Sequence, residues 1–194
     1  MTKKLFSKVI AIIAILGIMV ASNSVLAYSG DGYSIDIPET YKSAGKNAWA
    51  KSTGDSINIQ IQENKKGEAA TKSALDDSVE QLKKQYASLT VEKSEVTTVN
   101  GYKCLYILSK VYGMYIEQYA VPTKDKIYVI TVGAMSEDSL KSEEVANMVK
   151  SFKIDNYKEP KSGLGVVGIV IGAAVVGGIV AAIVVVSKKK AQNN

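Results

Sequence analysis

From Leu164 through Val186 the chain reads LGVVGIVIGAAVVGGIVAAIVVV, 23 residues without a charge or a strong hydrogen-bonding side chain. As a helix rising 1.5 Å per residue, the run covers about 34 Å, enough for a hydrocarbon core of about 30 Å. It predicts a transmembrane helix over 163–187, because a membrane tolerates helical glycine when the backbone satisfies its own hydrogen bonds. Lys188, Lys189 and Lys190 follow at once. By the positive-inside rule they hold the 188–194 tail in the cytoplasm, and they can touch anionic headgroups. Within the span, Gly168 and Gly172 form a GxxxG, and Gly177 continues a spacing of four with Ala173 and Ala181. Small residues at that spacing let helices approach closely, although they arise easily in any Gly/Ala-rich span.

The N-terminus completes the topology. Lys3, Lys4 and Lys8 precede an apolar run from Val9 through Val20 and then ASNSVLA, the pattern of a secretory signal peptide over 1–27 with cleavage after Ala27. The alternative is an uncleaved anchor helix. Both readings put the domain over 28–154 outside the cytoplasm; with cleavage, a linker over 155–162 joins it to a single type I span. No cysteine near the cut offers a lipid anchor, and no LPxTG sorting signal precedes the span.

The charges support that division. The chain has 24 lysines, no arginine and no histidine. Six lysines lie at the two ends, leaving 18 against all 19 carboxylates in the middle. A near-neutral domain with dispersed lysines has no electrostatic footprint for nucleic acid.

Within the domain, GYSIDIP and SINIQIQ alternate strictly, with Tyr33, Ile35, Ile37 and Ile57, Ile59, Ile61 on single faces. That period predicts strands of a sheet with one wet face, with a short strand at Trp49 between them. KSALDDSVEQLKKQYASL follows as a helix, with Ser73 and Asp76 as a capping box and Leu75, Val79, Leu82 and Tyr86 as its apolar stripe. TVEKSEVTTV and the turn signal Asn100-Gly101 open an antiparallel meander with strands over 102–110, 114–121 and 126–134. Val145, Met148, Val149 and Phe152 then mark a closing amphipathic helix.

Strands, helix, meander and closing helix in this order make an α+β domain. GYSIDIP at its start, NGYKCLYI opening the meander, IYVITVGA in the last strand and the terminal SFKI resemble the PsbP-like (Mog1/PsbP) domains. The resemblance covers about residues 28–154 and implies an α/β/α sandwich, an antiparallel β-sheet flanked by helices. It also implies accessory or binding work rather than catalysis, with no residue role carried over.

The chemistry available agrees. Without histidine there is no Ser-His-Asp triad and no usual zinc ligand, and the lone Cys104 cannot form an internal disulfide. The carboxylate pairs Asp76-Asp77, Glu137-Asp138 and Glu143-Glu144 fall at expected helix starts, where the dipole favours negative charge. No catalytic residue, metal site or cofactor is expected. Six of the 11 tyrosines crowd into the meander. Tyr115, Glu117 and Tyr119 share one face of a strand, which makes them the expected interaction face. The expected function is a non-enzymatic extracytoplasmic binding module acting on a membrane-protein partner or a ligand near the bilayer. The alternatives are a self-assembling homo-oligomer driven by the Gly/Ala helix and, behind it, a carboxylate-dependent envelope glycan hydrolase.

Overall fold

In the computed structural model the described residues are 25–161. The expected membrane helix with Gly168, Gly172 and Gly177, the tail lysines Lys188, Lys189 and Lys190, and most of the signal segment lie outside them. Among the described residues no helix is long and apolar enough to cross a membrane. In chain order the elements are β1 (Val25–Ser29), β2 (Tyr33–Pro38), β3 (Lys42–Gly45), β4 (Ala48–Ala50), β5 (Ser56–Glu63) and helix α1 (Lys72–Gln85). The meander follows as β6 (Thr90–Val99), β7 (Tyr102–Val111), β8 (Met114–Pro122) and β9 (Lys126–Ala134), then α2 (Glu137–Leu140), α3 (Glu143–Ser151) and β10 (Lys153–Ile154).

The meander forms because its turns carry the residues they need. Asn100 and Gly101 take φ of 45° and 83°, the left-handed pair that joins twisted strands in a two-residue hairpin. The next hairpin uses Tyr112 and Gly113 at 50° and 82°. A bulky residue in that region is strained, and Tyr112 is 74% exposed, so little packing compensates. Tyr112→Asn is therefore expected to raise stability by about 0.5–1 kcal/mol in denaturant titrations, since asparagine tolerates this backbone better.

Hydrogen bonding places seven strands in the order β3-β4-β5-β9-β8-β7-β6, every neighbouring pair antiparallel. α1 covers one face through Ala74, Leu75 and Leu82, which pack with Leu105, Ile107, Ala120 and Val129. Its N-cap is Thr71, whose hydroxyl accepts from the Ala74 N–H at 3.2 Å. The helix thus starts before Ser73, the expected cap, and its first turn carries no acidic residue. Asp76 instead pairs with Lys72 one turn back.

The other face differs more from expectation. β2 does not join the main sheet; it pairs with β1 and β10 in a separate three-stranded sheet. Tyr33, Ile35 and Ile37 are buried on the main sheet beside Val145, Met148, Val149 and Phe152. Alternation in GYSIDIP reports that one face is buried; it says nothing about which strands supply the hydrogen bonds. The cut expected after Ala27 falls inside β1, where Val25, Leu26 and Ala27 pair with Pro38, Ile37 and Asp36. Tyr28, the expected new N-terminus, is independently fixed: its hydroxyl donates to Asn47 Oδ1 at 2.9 Å and its ring meets Trp49 edge-on at 4.7 Å.

α3 is fastened to the loop after β4 by charge. Glu144 accepts from the Lys51 ammonium and from the Thr40 hydroxyl at 2.6 Å. Burial opposes its ionisation, but the two hydrogen bonds and the Lys51 charge outweigh burial and hold its carboxyl below the usual range. A depressed carboxyl stabilises the fold above the unfolded value near pH 4.3, and that contribution is lost as pH falls through the lower folded value. Glu144→Gln is accordingly expected to lower stability at pH 7 and to flatten its acid limb in unfolding curves from pH 7 to 3.

Candidate functional site

Odd-numbered side chains of β8 point to the face that carries the small sheet and the closing helices. Register sets Tyr119 opposite Tyr106 on β7 and Ile130 on β9, and Glu117 opposite Leu108 and Val132. The buried cluster on this face includes Tyr106, Leu108, Ile130 and Val132, with Tyr115 and Tyr119 packed half-buried against it. Toward β6 the face becomes wet: Glu95 is half-buried and Lys93 is exposed.

A groove of about 420 Å³ follows this border between the sheet and the helices. Glu117 and Tyr119 line it from the sheet, Leu140, Val145 and Val149 form its apolar wall, and Lys141 and Lys150 complete the helix side. The Asn100 side chain donates to the Phe152 carbonyl at 2.8 Å and fixes the turn at one end of the groove to the end of α3.

At the groove's polar side, the Tyr106 hydroxyl donates to Glu117 Oε1 at 2.8 Å and the Tyr119 hydroxyl donates to Oε2 at 3.2 Å. The two rings lie 5.1 Å apart, tilted by 51°. Burial first, and the adjacent Glu117 charge second, push both phenols far above their ordinary value. They therefore stay protonated and keep donating across the physiological range. An ionised carboxylate offers about four acceptor sites, so Glu117 retains capacity for N–H or O–H donors of a ligand. Lys141 is held by Glu137, whose hydrogen bond and charge raise its ammonium pKa.

Of the expected face, Glu117 and Tyr119 line the groove. Tyr115 shares their side of the strand but is engaged by Lys110, whose ammonium donates to its hydroxyl at 3.2 Å and lies 4.6 Å from its ring centre. Tyr106, Lys141 and Lys150 were not expected. The available signal for Tyr106 was its place with Cys104 on one face of β7, alternating with Leu105 and Ile107, which reads equally as core. Cys104 itself is fully buried, and burial pushes its thiol up to about 12. The carboxylate pairs are dispersed, with Asp76, Glu137 and Glu144 each bound to a lysine. Among the described residues no three His, Cys, Asp or Glu side chains gather as a metal site.

No protein-family model and no characterised protein matches the sequence itself. The fold is nonetheless shared with a solved protein of the PsbP-like class. Cyanobacterial PsbP (CyanoP) from Synechocystis sp. PCC 6803 superposes with a TM-score of 0.52 at 15% identity, over 70% of this chain and 95% of its own. A protein of unknown function from Pseudomonas aeruginosa, described as a putative regulator, reaches only 0.38 at 13% identity over 60% and 85%. LpqN of Mycobacterium tuberculosis, involved in cell envelope biogenesis, reaches 0.34 at 11% identity over 68% and 83%. The first likeness establishes an antiparallel α+β fold of PsbP-like type, and the other two are too distant to add to it.

Proposed function

We propose that this chain is a membrane-anchored, extracytoplasmic binding or accessory module without catalytic chemistry, and that the groove between α3 and β8 receives a segment of a membrane-protein partner. The observation that carries this reading is the Glu117 carboxylate held by two tyrosine hydroxyls beside an apolar wall. A negative acceptor beside Leu140, Val145 and Val149 suits an extended or helical segment with apolar side chains and a donor group such as a lysine ammonium. The signal segment, the apolar run and the lysine tail support the anchoring half of the proposal.

A photo-crosslinker at Lys150 in the full chain, activated in its native membrane, is expected to capture one specific protein. Capture that does not change when the groove is altered contradicts the reading.

A further inference from the structure

The segment after β10 does not hang free. The Ile154 N–H donates to the Tyr102 hydroxyl at 3.1 Å and the Asp155 N–H to the Gly32 carbonyl at 3.0 Å. The Tyr157 ring lies 4.7 Å from that of Tyr102. The Lys158 carbonyl accepts from the Lys124 N–H at 2.9 Å. Gly67, at φ +64°, lies beside the end of this segment: a Cβ there would be at ordinary contact distance, 3.4 Å from the Lys124 carbonyl oxygen and 3.9 Å from the Lys161 nitrogen. The chain is therefore bonded to the domain from Ile154 to Lys158 and still lies beside Gly67 at Lys161, whereas the sequence alone reads as a linker over 155–162.

We infer that this docked strap holds one end of the domain in the headgroup layer of the bilayer: the end formed by the loop over 64–67, the turn over 123–125 and the strap itself. The inference rests on the proposed span over 163–187. Four residues, 159–162, separate the last hydrogen-bonded position, Lys158, from that helix, and a single residue separates it from Lys161, the last position beside the domain. Two peptide units reach about 7 Å, comparable to the thickness of one interfacial layer. Exposed Lys66, Lys124, Lys158 and Lys161 lie at this end, with stems long enough to reach lipid phosphates. Asp125, Asp155 and Glu159 are exposed there too, Glu68 is half-buried, Lys65 pairs with Glu63 and Lys126 with Asp31. The charges balance, so the strap rather than net attraction to anionic lipid sets the orientation. Glu117 lies six residues along the chain from Thr123, about 20 Å at strand rise, which sets the groove's greatest distance from that end of the domain.

The test uses the full chain in phosphatidylcholine vesicles that carry a headgroup-attached quencher. A fluorophore is placed at Lys66→Cys, at Lys124→Cys or, at the opposite end of the sheet, at Tyr112→Cys; the buried Cys104 does not compete for label. Labels at 66 and 124 are expected to be quenched several-fold more than the label at 112, with the same ratio when phosphatidylglycerol replaces part of the lipid. A ten-residue Gly/Ser insertion after Lys161, spanning about 17 Å on average, is expected to equalise the three sites. Chain that fails to float with the vesicles overturns the anchoring reading together with this one. Chain that floats but shows equal quenching at 66 and 112 overturns the orientation alone. A gradient that appears only with phosphatidylglycerol, or survives the insertion, overturns the strap as its cause.

Discussion

Phe152→Ala is expected to lower the free energy of unfolding by about 3–5 kcal/mol, the range for truncating a buried aromatic side chain. Phe152 is fully buried, and its ring lies 5.8 Å from Tyr33, 6.0 Å from Tyr128 and 6.5 Å from Tyr102. Those three tyrosines belong to the small sheet, β9 and β7, so one side chain joins the two sheets. Its carbonyl also receives the Asn100 side chain, and the Tyr102 ring it touches carries Tyr157 of the strap on its other contact. Collapse around a cavity at a junction of rigid elements is limited, which argues for the upper part of the range. Trp49 is the sole tryptophan, so its fluorescence during urea unfolding in detergent reports the domain directly. A loss below about 1 kcal/mol would mean that the two layers are not coupled through this residue.

Glu117→Gln carries the second large effect, on binding. Glutamine keeps the length and one acceptor for the tyrosine hydroxyls, so stability is expected to change by less than about 1 kcal/mol. Hydrogen bonds to a charged acceptor contribute about 1.5–3 kcal/mol. Partner affinity should accordingly drop by about 10–100-fold. Tyr119→Phe keeps the ring and removes the donor; it separates the role of the carboxylate from that of its support and is expected to cost less. If Glu117→Gln unfolds the domain instead, Glu117 is a structural group and the groove loses its central acceptor.

The parts of the fold legible beforehand are those specified locally. Asn100-Gly101 forces a hairpin through its backbone, and Val145, Met148, Val149 and Phe152 recur at helical spacing. The three-stranded sheet was not legible because two of its three members are 25–29, partly inside the expected signal peptide, and 153–154, a two-residue strand with no period to read. The cap at Thr71 was hidden by Ser73, which offers the same chemistry two residues on. The candidate site divides in the same way. Tyr115, Glu117 and Tyr119 share a face by alternation within one strand. Tyr106 joins them only through the β7–β8 register, and Lys150 through the packing of α3, both long-range outcomes that no local pattern encodes. The docked strap was illegible for the same reason: Tyr157, Lys158 and Lys161 read as linker until Tyr102, Lys124 and Gly67 are brought beside them.

The central claim, that the Glu117 groove binds a partner at the membrane, is tested most directly by photo-crosslinking from Lys150 in the intact cell envelope, comparing the wild-type sequence with Glu117→Gln at matched expression. The account predicts one dominant crosslinked protein, with its yield falling at least several-fold in the variant while Trp49 fluorescence stays native-like. Equal capture from both chains, or no capture from either, would contradict it.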